Sequence, residues 1–167
     1  QASTVRVGYY VGMKDMVNLK EGVIVSLILS LSIVLVTMFV FIVFPQTLLD
    51  LFIAPEDPAK NGIVSVGISL LFVASVFQIF DAGQVMVLGA LRGFQDTKTP
   101  MLIAAFGYWI MGLPMCYYLG IHLNLGGPGV WMGLVLGLAV VCILLSVRLL
   151  LVYKKYSYRS DIDTNLN

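Results

Sequence analysis

The sequence predicts an all-α integral membrane protein, a helical bundle with four membrane-spanning helices. Hydrophobic residues make up 59% of the chain and charged residues only 11%, against about 25% charged in soluble domains. Mean hydropathy is +0.96. A helical span of the hydrocarbon core takes about 20 apolar residues, and four segments reach that length, at about 22–44, 63–91, 100–121 and 129–153. A β-barrel would show segments of about ten residues with alternating polarity, and the chain has none.

The elements follow in chain order. Residues 1–13 read as the cytoplasmic end of a preceding helix, with Val5, Val7, Tyr9, Tyr10 and Val11 apolar and Gly8 and Gly12 suited to a close contact or a helix end. The chain starts without a Met or a signal peptide, so it is expected to be a fragment, or one lobe, of a larger membrane protein. Lys14 and Asp15 make a turn, and residues 16–21 lead into the first span as an interfacial segment. Pro45 closes that span, since proline cannot continue a hydrogen-bonded helix. Residues 47–61 form the longer outer loop: an apolar front half that suits a short interfacial helix or a packed loop, then a turn at Pro55-Glu-Asp-Pro58.

The second span carries Asp81 and ends at an inner loop, 91–100, short enough to force the second and third spans to run antiparallel. Gly112 and Pro114 predict a kink in the third span, because Pro114 leaves a carbonyl unpaired. Residues 121–128, rich in Gly and Asn, form an outer turn. Gly129, Gly133 and Gly137 recur at four-residue spacing and give the last span a face where another backbone can approach closely. Residues 1–156 therefore read as one partial transmembrane lobe. Residues 157–167 read as a polar cytoplasmic tail without an apolar face, unstructured by default.

The charges fix an orientation. Arg6, Lys14 and Lys20 precede the first span, Arg92 and Lys98 lie between the second and third, and Arg148, Lys154, Lys155 and Arg159 end the last, all on one side. The opposite loops hold only Lys60, beside Asp50, Glu56 and Asp57, and the lone His122. The positive-inside rule then puts both ends of the segment in the cytoplasm of a multi-pass membrane protein. A net charge of +1 offers no case for nucleic acid as a partner. Cys116 and Cys142, both inside spans, read as small packing residues rather than a disulfide or metal pair.

No enzyme signature is present: neither a His-Glu-x-x-His helix, a Gly-x-Ser-x-Gly elbow nor a phosphate-binding loop. An intramembrane aspartyl protease needs two carboxylates in the membrane, and the four apolar runs contain one, Asp81. The chain is therefore read as a non-enzyme without an organic cofactor.

Asp81 is the best pointer to function. An acid at mid-membrane costs about 2.5 to 3.5 kcal/mol even on lenient scales, so it is kept where it is used. Helical spacing puts Phe77, Gln78, Gln84 and Val85 on its face, a polar stripe of two amides and an acid bracketed by an aromatic ring. Desolvation favours the protonated acid and a bound cation the ionised one, which makes Asp81 a site where a proton exchanges with a cation. The amide oxygens of Gln78 and Gln84 suit a hard ion such as sodium, and equally suit hydrogen bonds to neighbouring helices. In the third span, Tyr117 and Tyr118 fit an aromatic belt. Tyr108 and Trp109 lie deeper, where they either pack in the core or face a cavity that suits an organic cation.

The run Asp81-Ala-Gly-Gln-Val, with Gly89-Ala-Leu-Arg-Gly-Phe-Gln-Asp-Thr-Lys-Thr-Pro100, Tyr108-Trp-Ile-Met-Gly-Leu-Pro114 and Tyr118-Leu-Gly120, closely resembles the C-terminal lobe of NorM-type multidrug and toxic compound extrusion (MATE) transporters. Val5-Arg-Val-Gly8 with Gly12 is similar to the family's loop before its ninth helix, and the resemblance extends from about Thr4 to Arg148. It implies that the four spans are helices nine to twelve of a roughly twelve-helix, two-lobed antiporter whose lobes rock about a central cavity. It further implies that Asp81, on the tenth helix, binds the coupling ion, a proton or sodium. Some members carry a tyrosine one turn before that acid, where this chain has Phe77, and acids that others use in the first and seventh helices lie outside this sequence.

The leading expectation is thus cation-coupled multidrug efflux of amphipathic, often cationic, organic compounds, with the bilayer and a missing N-terminal lobe as partners. Asp81 would bind the coupling ion, with Phe77, Gln78, Gln84 and Tyr108 as cavity, ion or substrate contacts. Two alternatives are a lipid-linked precursor flippase of the same superfamily, which basic residues lining the cavity would favour, and a non-transporting membrane assembly subunit, in which Asp81 would face a partner helix.

Overall fold

The computed structural model describes residues 2–13, 15–53 and 60–165. Its elements are α1 (Ala2–Gly12), α2 (Met16–Val43), α3 (Pro45–Asp50), α4 (Lys60–Gly93), α5 (Lys98–Phe106), α6 (Leu113–Tyr117) and α7 (Gly126–Asn165). π-helical turns at Gly107–Gly112 and Tyr118–His122 join α5 and α6 into one continuous span and extend it outward. Among the described residues, four helical stretches are long and apolar enough to cross a membrane: Val17–Val43, Lys60–Gly93, Lys98–His122 and Gly126–Tyr158. The shortest, 25 residues, is about 37 Å long at 1.5 Å per residue, more than a core of about 30 Å requires. The expected four-helix membrane architecture is the one observed.

Local chemistry accounts for most boundaries. Asp15 caps α2: its carboxylate accepts from the backbone N–H of Asn18 at 3.1 Å and from the Asn18 side-chain amide. These bonds, the side-chain one foremost, hold the Asp15 carboxyl below the usual carboxylate value. The interfacial segment 16–21 is simply the first turns of α2. Pro45 ends α2 by opening α3, where its missing N–H falls at a position that needs none. The apolar front of the outer loop is thus a short helix, tied to α4 by Lys60–Asp50 at 2.7 Å. The turn expected at 55–58 lies outside the described residues.

Two expectations are corrected. The outer turn after the third span occupies only 123–125, because Asn124 and Gly126 take φ of 54° and 60° and reverse the chain within three residues. The stretch 157–165 is helical rather than unstructured. No glycine or proline follows Gly137, so nothing in the sequence ends α7 where its apolar run stops.

The predicted irregularity at Gly112 and Pro114 takes the form of a π turn. Leu113 N–H reaches back five residues to the Tyr108 carbonyl, and Pro114 then opens a fresh α segment. The core sits at the basic end of the bundle, where Val7, Leu19, Leu91, Phe94, Val141 and Leu145 of α1, α2, the end of α4 and α7 meet. Small residues allow this. Val7 packs so closely on Gly93 that a Cβ there would lie 2.6 Å from the Val7 Cβ, and Ser3 and Thr4 rest on Gly89. Phe94 lies against Tyr156 at 5.2 Å, and Arg148 Nε donates to Asp96 Oδ2 at 2.7 Å, fastening the inner loop to α7.

Candidate functional site

Asp81 lies on α4, eleven residues from Arg92, so about 16 Å along the axis and roughly halfway through a core of about 30 Å. Its side chain is exposed on the outside of the four-span bundle, as is Val85 one turn on. The buried side of α4 is carried by Val73, Ser75, Gln84, Val87, Ala90 and Leu91. A carboxylate at this depth, unburied by the helices present, faces whatever borders the bundle in the membrane.

The two amides of the predicted stripe point away from each other and cross-link α4 to its neighbours. Thr37 of α2 donates to Gln78 Oε1 at 2.7 Å, and Tyr108 donates its hydroxyl to Gln84 Oε1 at 2.7 Å. At about 100° per residue, Asp81 falls midway in angle between Gln78 and Gln84. It therefore looks out through the gap between α2 and the third span. Both amide oxygens are engaged in the helix-to-helix bonds that the stripe equally suited. The Gln78 Nε2, buried, has no acceptor among the described residues.

Phe77 is half-buried and meets the Trp131 ring of α7 edge-on, centroids 5.9 Å apart. Tyr108 is half-buried with its hydroxyl committed to Gln84, while Trp109, Tyr117 and Tyr118 face outward. Cys116 and Cys142 are free thiols, and Cys116 Sγ lies 3.2 Å from the Val130 carbonyl across the tight contact with α7. The structure thus brings Gln78, Asp81 and Gln84 around one sector of α4, with Tyr108 joined through Gln84 and Phe77 turned toward α7.

Thr37 and Trp131 were not singled out from sequence. A threonine inside an apolar helix satisfies itself, and Thr37 Oγ1 also lies 2.9 Å from the Val34 carbonyl, so its side-chain partner leaves no trace in the pattern.

The Tyr108–Gln84 bond gives a measurable expectation. Gln84 is 6% exposed, so Tyr108→Phe strands its carbonyl oxygen. Interhelical hydrogen bonds in membranes are worth about 0.6 to 1.7 kcal/mol. Thermal unfolding in detergent should show a loss of that size for Tyr108→Phe, and a smaller one when Gln84→Leu removes the stranded acceptor as well.

Comparison with known proteins agrees with this architecture. The MatE family model matches residues 1–118. Among curated proteins, the chain is 43% identical over 148 residues to the multidrug resistance protein NorM of Burkholderia vietnamiensis, covering 89% of this chain and 32% of that protein. It is 35% identical over 155 residues to a probable multidrug resistance protein NorM of Agrobacterium fabrum, covering 93% of this chain and 33% of that one. The chain spans about a third of the length of the curated relatives it matches. Among solved structures, the eukaryotic MATE transporter AtDTX14 superposes with a TM-score of 0.72 at 20% identity, over 95% of this chain and 35% of that one. At that identity the likeness is one of fold.

Proposed function

Because this chain belongs to the MatE family, we propose that it forms part of a cation-coupled efflux antiporter whose coupling ion, a proton or sodium, binds at Asp81 and whose substrates are amphipathic organic cations. The observation that carries the reading is the position of Asp81: a carboxylate at mid-membrane depth, exposed on a sector of α4 that the described helices leave open. An acid in that place is held against a cost of kilocalories. The cost is offset when a proton or a cation occupies it, and an ion and a cationic substrate competing for one carboxylate is the elementary requirement of exchange. Binding of either shifts the balance between inward-open and outward-open forms by the difference in its affinity for the two.

Organic cations are favoured over lipid-linked anions by the charges of the spans. No Lys or Arg occurs in 22–44, 63–91 or 100–147, and Arg148 is paired with Asp96. The names of the relatives fit transport rather than catalysis. The asymmetry of Lys and Arg supports placing both ends of the segment in the cytoplasm of a multi-pass protein of the cell membrane. The remaining walls of the cavity and the other ion ligands would come from sequence outside this chain, consistent with relatives three times as long.

The test is efflux by the full-length protein in proteoliposomes, with a fluorescent organic cation inside and a proton or sodium gradient imposed. Export driven by one of the two gradients is expected. Export indifferent to both, or none while a lipid-linked anion is translocated, overturns the reading.

A further inference from the structure

We propose that the slot between α2 and α7 at the basic end of the bundle is a binding site for one anionic phospholipid of the surrounding leaflet. The slot has a volume of about 220 Å³ and almost wholly apolar walls, with Leu19, Val23 and Ile24 on one side, Leu149 and Leu150 on the other, and Phe94 as its floor. Phe94 is 3% exposed and Leu19 2%, so the floor and the inner wall belong to the packed core. Ile24 and Leu150, 44% and 61% exposed, form a mouth that opens sideways. An apolar slot open at membrane depth admits hydrocarbon. Its shape suits a length of a single acyl chain, which would lie along the groove between two nearly full-length spans.

The head-group preference comes from the rim. Among the described residues Lys20 is the one charged side chain that lines the slot, and Tyr153 faces it from α7. Both stand where their helices cross the interface, a tyrosine ring in the aromatic belt and a lysine with its stem on apolar surface and its ammonium toward water. Among the described residues Lys20 is in no ion pair. Lys154 follows Leu150 by four residues and continues the same helix stripe above the mouth. Arg6 lays its stem over Gly22, its Cδ 3.1 Å from where a Cβ there would stand. Glu21, the nearby acid, is turned about 100° from Lys20. A phosphate seated over the slot thus meets Lys20 and Lys154 as counter-ions and a phenol hydroxyl as a hydrogen-bond donor. Basic pockets between spans on the cytoplasmic side select anionic head groups in this way.

The site is independent of Asp81, which lies deeper in the bundle and does not line the slot, and its test does not require transport. The full-length protein, delipidated in detergent and offered equimolar phosphatidylglycerol and phosphatidylcholine with the same chains, is expected to retain the anionic lipid preferentially in native mass spectra. Lys20→Gln should cut that preference about fivefold, the equivalent of about 1 kcal/mol for one lysine near a charged membrane surface. Leu150→Trp, at the exposed mouth, should block the slot and abolish retention of both lipids while thermal unfolding matches the parent. Equal retention of the two lipids, or retention unchanged by Leu150→Trp, overturns the proposal. So does cross-linking of an Ile24→Cys variant to another part of the same protein, which would mean that a helix outside this chain fills the slot.

Discussion

Asp81→Asn is expected to abolish the proposed ion-driven efflux by the full-length protein while leaving its amount in the membrane unchanged or higher. The two halves of that expectation have separate physical causes. Asparagine has nearly the shape of aspartate but binds no exchangeable proton and no cation by charge, so an imposed gradient can no longer be converted into substrate movement at this position. One proton exchanged per cycle is worth about 1.36 kcal/mol, or about tenfold in substrate ratio, for each pH unit of gradient. Without the acid that ratio falls to one. Insertion of the helix, by contrast, is relieved of the cost of an acid at its centre, about 2.5 to 3.5 kcal/mol. The side chain is exposed on this bundle and makes no hydrogen bond among the described residues, so its loss breaks none of the helix contacts seen here. A matched measurement of protein level and gradient-driven efflux separates the outcomes. Asp81→Glu, which restores the charge one methylene further out, should recover coupled efflux in part. Full, gradient-dependent efflux by Asp81→Asn would remove Asp81 from the coupling role.

How much of this was legible in the sequence depends on whether a feature is a property of one helix or of two. The spans, their order and their number follow from runs of apolar residues, each of which satisfies its backbone alone, and all four were where expected. The isolation of Asp81 was legible for the same reason. That it looks out of the bundle was not, because exposure is decided by which neighbours pack against α4. The amides show the limit most clearly. Gln78 and Gln84 read as one stripe with Asp81, yet one bonds to α2 and the other to the third span. A rotation of about 60° per step spreads the three residues over a sector, and the helices on either side take the outer two. The π turns were half legible: Gly112 and Pro114 announced a disturbance. Its form depended on α7, whose Gly137 sits so near Gly112 that a Cβ would lie 2.7 Å from the Gly112 Cα. The continuation of α7 to Asn165 is hidden by its polarity: 157–165 has no apolar face to mark a helix, although nothing in it breaks one.

The repeated glycines of α7 carry the second large expectation: Gly133→Leu should leave no stably folded bundle, and even Gly133→Ala should destabilise it. Ordinarily glycine to alanine inside a helix gains about 0.8 to 1 kcal/mol. At Gly133 the new Cβ would fall 2.6 Å from the Cys116 Cα and 2.8 Å from the Met115 carbonyl carbon, so it meets backbone that no rotamer can clear. Overpacking costs about 1 to 3 kcal/mol, and against backbone the upper part of that range applies, which outweighs the helical gain and leaves Gly133→Ala a net loss of up to about 2 kcal/mol. The contact is one of a series along the same seam. Gly129 approaches the Leu119 carbonyl and Gly137 approaches Gly112 with similar closeness, so α7 cannot tilt away at one level without opening the others. A leucine, which must push the helices apart by a full side chain, therefore disrupts the whole interface between α7 and the third span, together with the Cys116 contact to Val130. Gly62, in the first turn of α4, has nothing within 4 Å of its would-be Cβ and serves as the internal control. Gly62→Ala should be neutral or slightly stabilising in the same thermal unfolding measurement. The opposite order of the two alanine variants would mean that the close approach of α7 and the third span does not hold the bundle together.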